Sequence, residues 1–214
     1  MKTLLLFDLD GTLLDTLQDL TDSVNHTLQQ YGCPTRTMDQ IRSFVGNGVK
    51  NLIQCALPGK ENDPPAEQVL EDYLIYYAAH NLDTTAPYKG IAQALEQLAE
   101  YPMAIVSNKA DRDVKPLCQR YFPGIYARGE TPDCPRKPAP DMLLQTMERF
   151  GCEKAIYIGD SEVDIRTAQN ARIPCLSVTW GFRTQAQLEQ WGARHLCHSP
   201  SQLPAMIRQL DNIP

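Results

Sequence analysis

The chain has 214 residues, of which 43% are hydrophobic and 21% charged; that is enough apolar material for a packed core and excludes a disordered chain. A formal net charge of −6 excludes a general nucleic-acid binder, which needs a basic footprint. Seven cysteines with no C-x-x-C spacing exclude a zinc framework or an even set of disulfides, and no run approaches the ~20 apolar residues of a membrane helix.

Residues 3–7 form a short apolar run that stops at Asp8, which predicts a buried strand and is too short for a signal sequence. Residues 16–83 contain no strand pattern. Leu17, Leu20, Val24 and Leu28 make one apolar helical stripe, and Val69, Leu70, Tyr73, Leu74 and Tyr77 make another within 67–80. Gly32-Cys33-Pro34, Gly46-Asn47-Gly48 and Pro64-Pro65 lie between the two stripes, so the segment reads as an all-helical insert. Beyond Tyr88-Lys89-Gly90 the pattern alternates. Helices are predicted over 91–100, over 111–121 with Asp111 as cap, over 141–150 with Gly151 as stop, and around Ile165, Ala168 and Arg172. Strands are predicted over 103–106, 155–158 and 174–178, with a weaker one over 195–197. Such alternation implies an α/β fold, a Rossmann-like parallel sheet covered on both faces. The predicted division is 1–15 and 84–214 for this core and 16–83 for the helical insert.

Ligands of open parallel sheets bind at the carboxyl ends of the strands. Three predicted strands end in polar groups: Asp8-Leu9-Asp10-Gly11-Thr12, Ser107-Asn108-Lys109 and Gly159-Asp160-Ser161. Asp8 and Asp10 stand one residue apart, and carboxylates that close repel unless a cation sits between them. One can attack and ligate while the other moves protons. A lone D-x-D is often only a turn cap. A calcium loop does not fit, because a strand precedes the motif and no Glu stands at the twelfth position. The four histidines, His26, His80, His195 and His198, have no recognisable partners and read as structural or surface residues.

The segment from Phe7 to Asp15 resembles the first motif of the haloacid dehalogenase superfamily. Ser107 matches the second motif, Lys137 in Arg136-Lys137-Pro138 the third, and Gly159-Asp160-Ser161-Glu162-Val163-Asp164 the fourth, in order along nearly the whole chain. The resemblance implies a magnesium-dependent phosphatase. Asp8 would attack phosphorus and form an aspartyl-phosphate. Asp10 would protonate the leaving oxygen and then activate water. Ser107 would bind a phosphoryl oxygen, and Lys137 would neutralise charge. Asp160 would ligate magnesium with the Asp8 carboxylate and the Asp10 main-chain carbonyl, and Asp164 would either bind a metal water or orient Lys137.

Dehalogenases of this superfamily lack the second aspartate, so Asp10 favours phosphoryl transfer. The insert resembles the family's first type of cap domain, and Val45-Gly46-Asn47-Gly48 resembles a loop of its phosphoglycolate phosphatases. This implies a small phosphorylated metabolite as substrate, 2-phosphoglycolate before others. Arg42, Gly46, Asn47 and Gly48 of the cap and Thr12 and Asn108 of the core form the candidate substrate-binding set. A cytoplasmic monomer or homodimer, with no nucleic-acid or membrane partner, is expected. A phosphosugar mutase, a pyrophosphatase, a phosphonoacetaldehyde hydrolase (which would need a cap lysine such as Lys50 or Lys60) and a catalytically silent member are the alternatives.

Overall fold

A strand whose every residue is apolar must be covered on both faces, and Leu4–Phe7 (β1) is buried at all four positions. The computed structural model describes residues 2–60 and 63–212. After β1 come β2 (Leu14–Asp15), α1 (Leu17–Gln30), α2 (Met38–Phe44), α3 (Val49–Ala56), α4 (Ala66–His80), β3 (Ala86–Pro87) and α5 (Ile91–Glu96). Then follow β4 (Met103–Ala110), α6 (Asp111–Tyr121), β5 (Tyr126–Glu130), α7 (Asp141–Phe150) and β6 (Ala155–Gly159). The described chain ends with α8 (Glu162–Ala171), β7 (Cys175–Val178), α9 (Gln185–Gln190), β8 (His195–Cys197) and α10 (Leu203–Asp211). Among the described residues no helix is long and apolar enough to cross a membrane.

The chain divides into two compact units, one of Met1–Leu14 with Pro87–Pro214 and one of Asp15–Ala86. The first holds a six-stranded sheet in the order β5-β4-β1-β6-β7-β8, with every pair parallel. Alternate β1 side chains face opposite ways. Leu5 and Phe7 pack with Ile91, Leu95, Val114, Leu117 and Ile207 on one face, and Leu4 and Leu6 pack with Met142, Leu143, Met147 and Ala168 on the other. The sheet is thus sandwiched between α5, α6 and α10 on one side and α7 and α8 on the other, as the alternating pattern predicts.

The second unit is built from α1 to α4. Asp19 of α1 is 2% exposed and accepts the main-chain N–H groups of Thr84 and Thr85, both at 2.9 Å, which ties the two ends of the unit together. Tyr73 and Tyr77 are buried in it and stack 5.4 Å apart, whereas Tyr76 lies between the rings of His26 and His80.

Three expectations need correction, and one strand was not foreseen. The 91–100 helix ends at Glu96 and continues as turns. Asp111 does not cap α6 but is its first residue, and its Oδ1 accepts the Gly129 N–H at 3.0 Å. β5 had no apolar run to reveal it, since Tyr-Ala-Arg-Gly-Glu is a sheet-edge strand that stays mostly half-buried. Arg172 does not continue α8; it caps the helix in the left-handed region at φ 58°, where Gly151 ends α7 at φ 62°. A side chain pays roughly 1–2 kcal/mol for that conformation, while glycine gives back some of it through a freer unfolded chain. Arg172→Gly is therefore expected to raise unfolding free energy by up to about 1 kcal/mol, read from the urea midpoint.

Candidate active site

The strand order places β1 at the point where the chain turns from filling one side of the sheet to filling the other, between β1 and β6. Doubly wound sheets open a crevice at that point, at the carboxyl ends of the strands. Asp8 leaves β1 with its N–H on the Ile158 carbonyl at 2.8 Å, and Asp160 leaves β6 beside it. The polar ends of β1, β4 and β6 thus share one edge.

Lys137 reaches this edge from the loop before α7 and is 2% exposed. Its Nζ lies 2.9 Å from Asp8 Oδ1 and 2.8 Å from Asp164 Oδ1, and donates to the Tyr157 hydroxyl at 2.7 Å. Asp8 Oδ1 is buried, and this ammonium is the partner that faces it. Tyr157 donates to Asp164 Oδ1 at 2.9 Å. The other oxygen of Asp164 accepts from the N–H groups of Asp160 and Ser161 at 3.2 and 3.1 Å and from the Ser161 hydroxyl at 2.6 Å. Both oxygens of Asp164 are therefore filled by protein donors. Of its two implied roles, binding a metal water or orienting Lys137, this geometry fits the second.

Asn108, assigned above to substrate, has its side chain on the Lys137 main chain instead. Its Oδ1 accepts the Lys137 N–H at 2.8 Å and its Nδ2 donates to the Lys137 carbonyl at 2.9 Å. The Thr12 hydroxyl, also assigned to substrate, donates to Asp160 Oδ1 at 3.2 Å. The second oxygen of Asp160 accepts the Phe182 N–H at 2.7 Å. The Phe182 loop after β7 was not anticipated as part of the site. Trp180 Nε1 donates to the Thr12 carbonyl at 3.0 Å, and a Cβ on Gly181 would fall 2.3 Å from the Gly11 carbonyl oxygen and 2.4 Å from Asp160 Cβ. Only a glycine lets this loop close on Asp160. Arg183 of the same loop pairs with Glu162 at 2.8 Å.

Asp10, two residues beyond Asp8, has the Lys109 ammonium 3.2 Å from its nearer oxygen. Ser107 is 2% exposed and its hydroxyl accepts the Lys109 N–H at 3.2 Å. Asp8, Asp10, Thr12, Ser107, Asn108, Lys137, Asp160 and Asp164 thus all belong to the sheet unit. Arg42, Gly46, Asn47 and Gly48 belong to the helical unit, where Arg42 pairs with Asp39 at 2.7 Å and Gly46 and Gly48 have φ of 123° and 80°. Tyr157, Ser161 and Lys109 are among the side chains at the site to which the sequence reading gave no role. Tyr157 carried a legible signal, because a tyrosine inside a strand buried on both faces needs a partner for its hydroxyl.

Three buried carboxylates face one ammonium here. One oxygen from each of Asp8, Asp160 and Asp164 lies within 4.8 Å of the others. Burial pushes the Asp8 carboxyl up to about 7, against the pull of Lys137. Burial, with Asp164 and Asp8 nearby, drives Asp160 well above the usual carboxylate range. Burial works against the charge on Asp164 too, but Lys137 and the Ser161 and Tyr157 hydroxyls outweigh it and hold that carboxyl low. Lys137 is likewise held charged by Asp164 and Asp8 despite its burial. The clustered buried carboxylates, two of them raised by their burial, fit a hard divalent cation bound through Asp8 and Asp160.

A family model described as haloacid dehalogenase-like hydrolase matches residues 5–178. The phosphoglycolate phosphatase of Rhodobacter capsulatus is 33% identical over 217 residues, which cover 97% of each chain. That of Agrobacterium fabrum is 33% identical over 201 residues, 88% of this chain and 85% of its own. Among solved structures, a haloacid dehalogenase-like family hydrolase from Streptococcus pneumoniae superposes with a TM-score of 0.86 at 25% identity over 96% of this chain and 98% of its own.

Two outcomes follow from the charge balance. Because the folded Asp8 carboxyl titrates near 7 and an unfolded one near 3.8, the folded state binds the extra proton between those values. This group alone then costs stability as pH rises from about 4 to about 7. A divalent cation removes that cost and competes with protons, so its addition should raise the thermal midpoint more at pH 8 than at pH 5.5. Tyr157→Phe should lower unfolding free energy by about 1–3 kcal/mol, because it leaves the buried Lys137 and Asp164 each short of a partner; denaturant unfolding measures it.

Proposed function

The chain belongs to the haloacid dehalogenase-like hydrolases, and on that premise we propose that it hydrolyses 2-phosphoglycolate through an aspartyl-phosphate on Asp8, with magnesium as cofactor. The enzyme is a phosphoric monoester hydrolase, like the relatives it matches over most of their length. The observation that carries the mechanistic reading is the buried Asp8 carboxylate, its Oδ1 2.9 Å from the Lys137 ammonium and clustered with Asp160 and Asp164, at the end of the central strand.

In this reading Asp8 attacks phosphorus while the bond to the leaving oxygen breaks, and Asp10 gives that oxygen its proton. Water then attacks the aspartyl-phosphate and gives its proton to Asp10. Phosphate departs and Asp8 is restored. Ser107 holds a phosphoryl oxygen, and Lys137 offsets charge on Asp8 and the transferred group. When bound by Asp8, Asp160 and the Asp10 carbonyl, magnesium supplies further charge stabilisation, on which phosphoryl transfer chiefly depends. Asp164, Tyr157 and Asn108 fix Lys137, and Thr12 with the Phe182 loop fixes Asp160. Arg42, Gly46, Asn47 and Gly48 are proposed to select the substrate, the anionic 2-phosphoglycolate being the compound whose phosphatases share that loop.

The test is phosphate release from 2-phosphoglycolate beside phosphosugars, nucleotides and pyrophosphate, with and without magnesium. A clear preference for 2-phosphoglycolate is expected. Chelation and Asp8→Asn should each remove activity, and Asp10→Asn should lower turnover by roughly 10²–10⁴-fold. Preference for another ester would discard the substrate, and an active Asp8→Asn would discard the nucleophile. Sugar-phosphate isomers formed without phosphate release would identify a mutase.

A further inference from the structure

Lys109 is a buried cation that the steps above leave without a role. Its side chain is 7% exposed, and its Nζ lies 3.3 and 3.2 Å from the two carboxylate oxygens of Asp10, which is itself 13% exposed. The backbone that carries it is held tightly. A Cβ on Gly129 of β5 would stand 2.4 Å from the Lys109 carbonyl oxygen and 2.6 Å from the Asp111 main chain, and the Gly129 N–H is bonded to Asp111. The Lys109 N–H is fixed in turn on the Ser107 hydroxyl.

Side chains alternate along a strand. In β4, Ala104 and Val106 face the α7 and α8 side with Leu4 and Leu6, whereas Ile105 faces the other. The strand's pairing with β5 is interrupted between Val106 and Ala110 and resumes at Ala110 with Glu130, so Ser107, Asn108 and Lys109 lie in an irregular stretch at the site. Asn108 takes the Lys137 loop and Lys109 takes Asp10. One strand end thus places both lysines of the site, one through its main chain and one directly. A buried ion pair adds little net stability, because desolvation offsets the attraction; stability alone gives no reason for a lysine here. Contact with both oxygens has a geometric effect instead, since it resists rotation of the carboxylate about its own bond.

We propose that Lys109 is the positioning residue for Asp10, fixing the orientation in which one carboxylate oxygen meets the leaving oxygen of the substrate. This rests on the acid–base role given to Asp10 above. Lys109 neither gives nor takes a proton: the proton passes from Asp10 to the leaving oxygen and returns to Asp10 from water.

The leaving group separates this role from a structural one. An alkoxide, as in 2-phosphoglycolate, needs a proton to depart, whereas the p-nitrophenolate of p-nitrophenyl phosphate does not. Single-turnover release of the leaving group would be measured for both substrates, at saturating magnesium, in the wild type, Lys109→Met, Lys109→Arg and Asp10→Asn. Misplacing a reacting group by an ångström costs on the order of 10²-fold. Lys109→Met should slow release from 2-phosphoglycolate by about that factor, slow p-nitrophenyl phosphate by less than about a tenth of it, and leave KM nearly unchanged. Lys109→Arg should restore most of the loss. Thermal melting checks that each variant folds, and Lys109→Gln, which keeps a donor at similar reach, carries the same comparison if the methionine variant does not. Equal slowing of both substrates, or no slowing, overturns the proposal. If Asp10→Asn shows the leaving-group split and Lys109→Met does not, only Lys109 loses its role. If Asp10→Asn itself shows no split, the acid role of Asp10 falls and the proposal falls with it.

Discussion

An ammonium group buried between two carboxylates sets the conditions for the rest of the structure. Lys137 lies against Asp8 and Asp164 with almost no solvent access. Several kcal/mol per ion must be recovered when charges are taken so far from water. The recovery is local. Tyr157 fills one remaining side of the ammonium, Ser161 and two main-chain N–H groups fill the far oxygen of Asp164, and Asn108 grips the main chain of Lys137 from both directions. These bonds leave one carboxylate only partly answered, and that carboxylate is Asp8.

The division of labour among the aspartates follows from which donors each can reach. Asp164 is saturated and stays ionised. Asp160 has one hydroxyl and one main-chain N–H, too little to offset its burial. Asp8 shares the Lys137 ammonium with Asp164, and burial still pushes its carboxyl up to about 7. A carboxylate that is tightly solvated by protein donors is a poor nucleophile and a poor ligand; one that is buried but under-solvated is better at both. The fold thus uses the same residue type for an anchor, a candidate ligand and a candidate nucleophile within a few ångströms, and distinguishes them by their donors alone.

Much of this was legible in the sequence, because strand ends can be read from it. The abrupt switch from apolar to acidic at Asp8, and again at Gly159-Asp160, marks both the strand and the chemical edge with one signal. The helical stripes of α1 and α4 were legible for the same reason, a strong period over many residues. β5 was not, since an edge strand needs no continuous apolar run and Tyr-Ala-Arg-Gly-Glu has none. The protein contacts of Thr12 and Asn108 were not legible, because a hydroxyl or amide at a strand end looks the same whether it faces a ligand or a neighbouring loop. What decides between them is where residues 137 and 160 come to lie, and that depends on pairings about 30 and 150 positions away. The Phe182 loop escaped for a related reason: its contribution is a main-chain N–H and an absent side chain, neither of which carries a chemical label.

The placement of β1 at the middle of the sheet has a further consequence for how the molecule comes into being. Leu4–Phe7 is made before any other strand, yet its two neighbours are β4 and β6, whose residues pair with it only some 100 and 150 positions later. During synthesis the most apolar strand of the sheet emerges first and is covered last. Long-range parallel pairing of this kind is slow, and an uncovered apolar strand invites association with other chains. Because Asp8 sits at the end of that strand while Lys137, Asp160 and the Phe182 loop come far later in the chain, the site cannot be assembled until most of the sheet unit has been made.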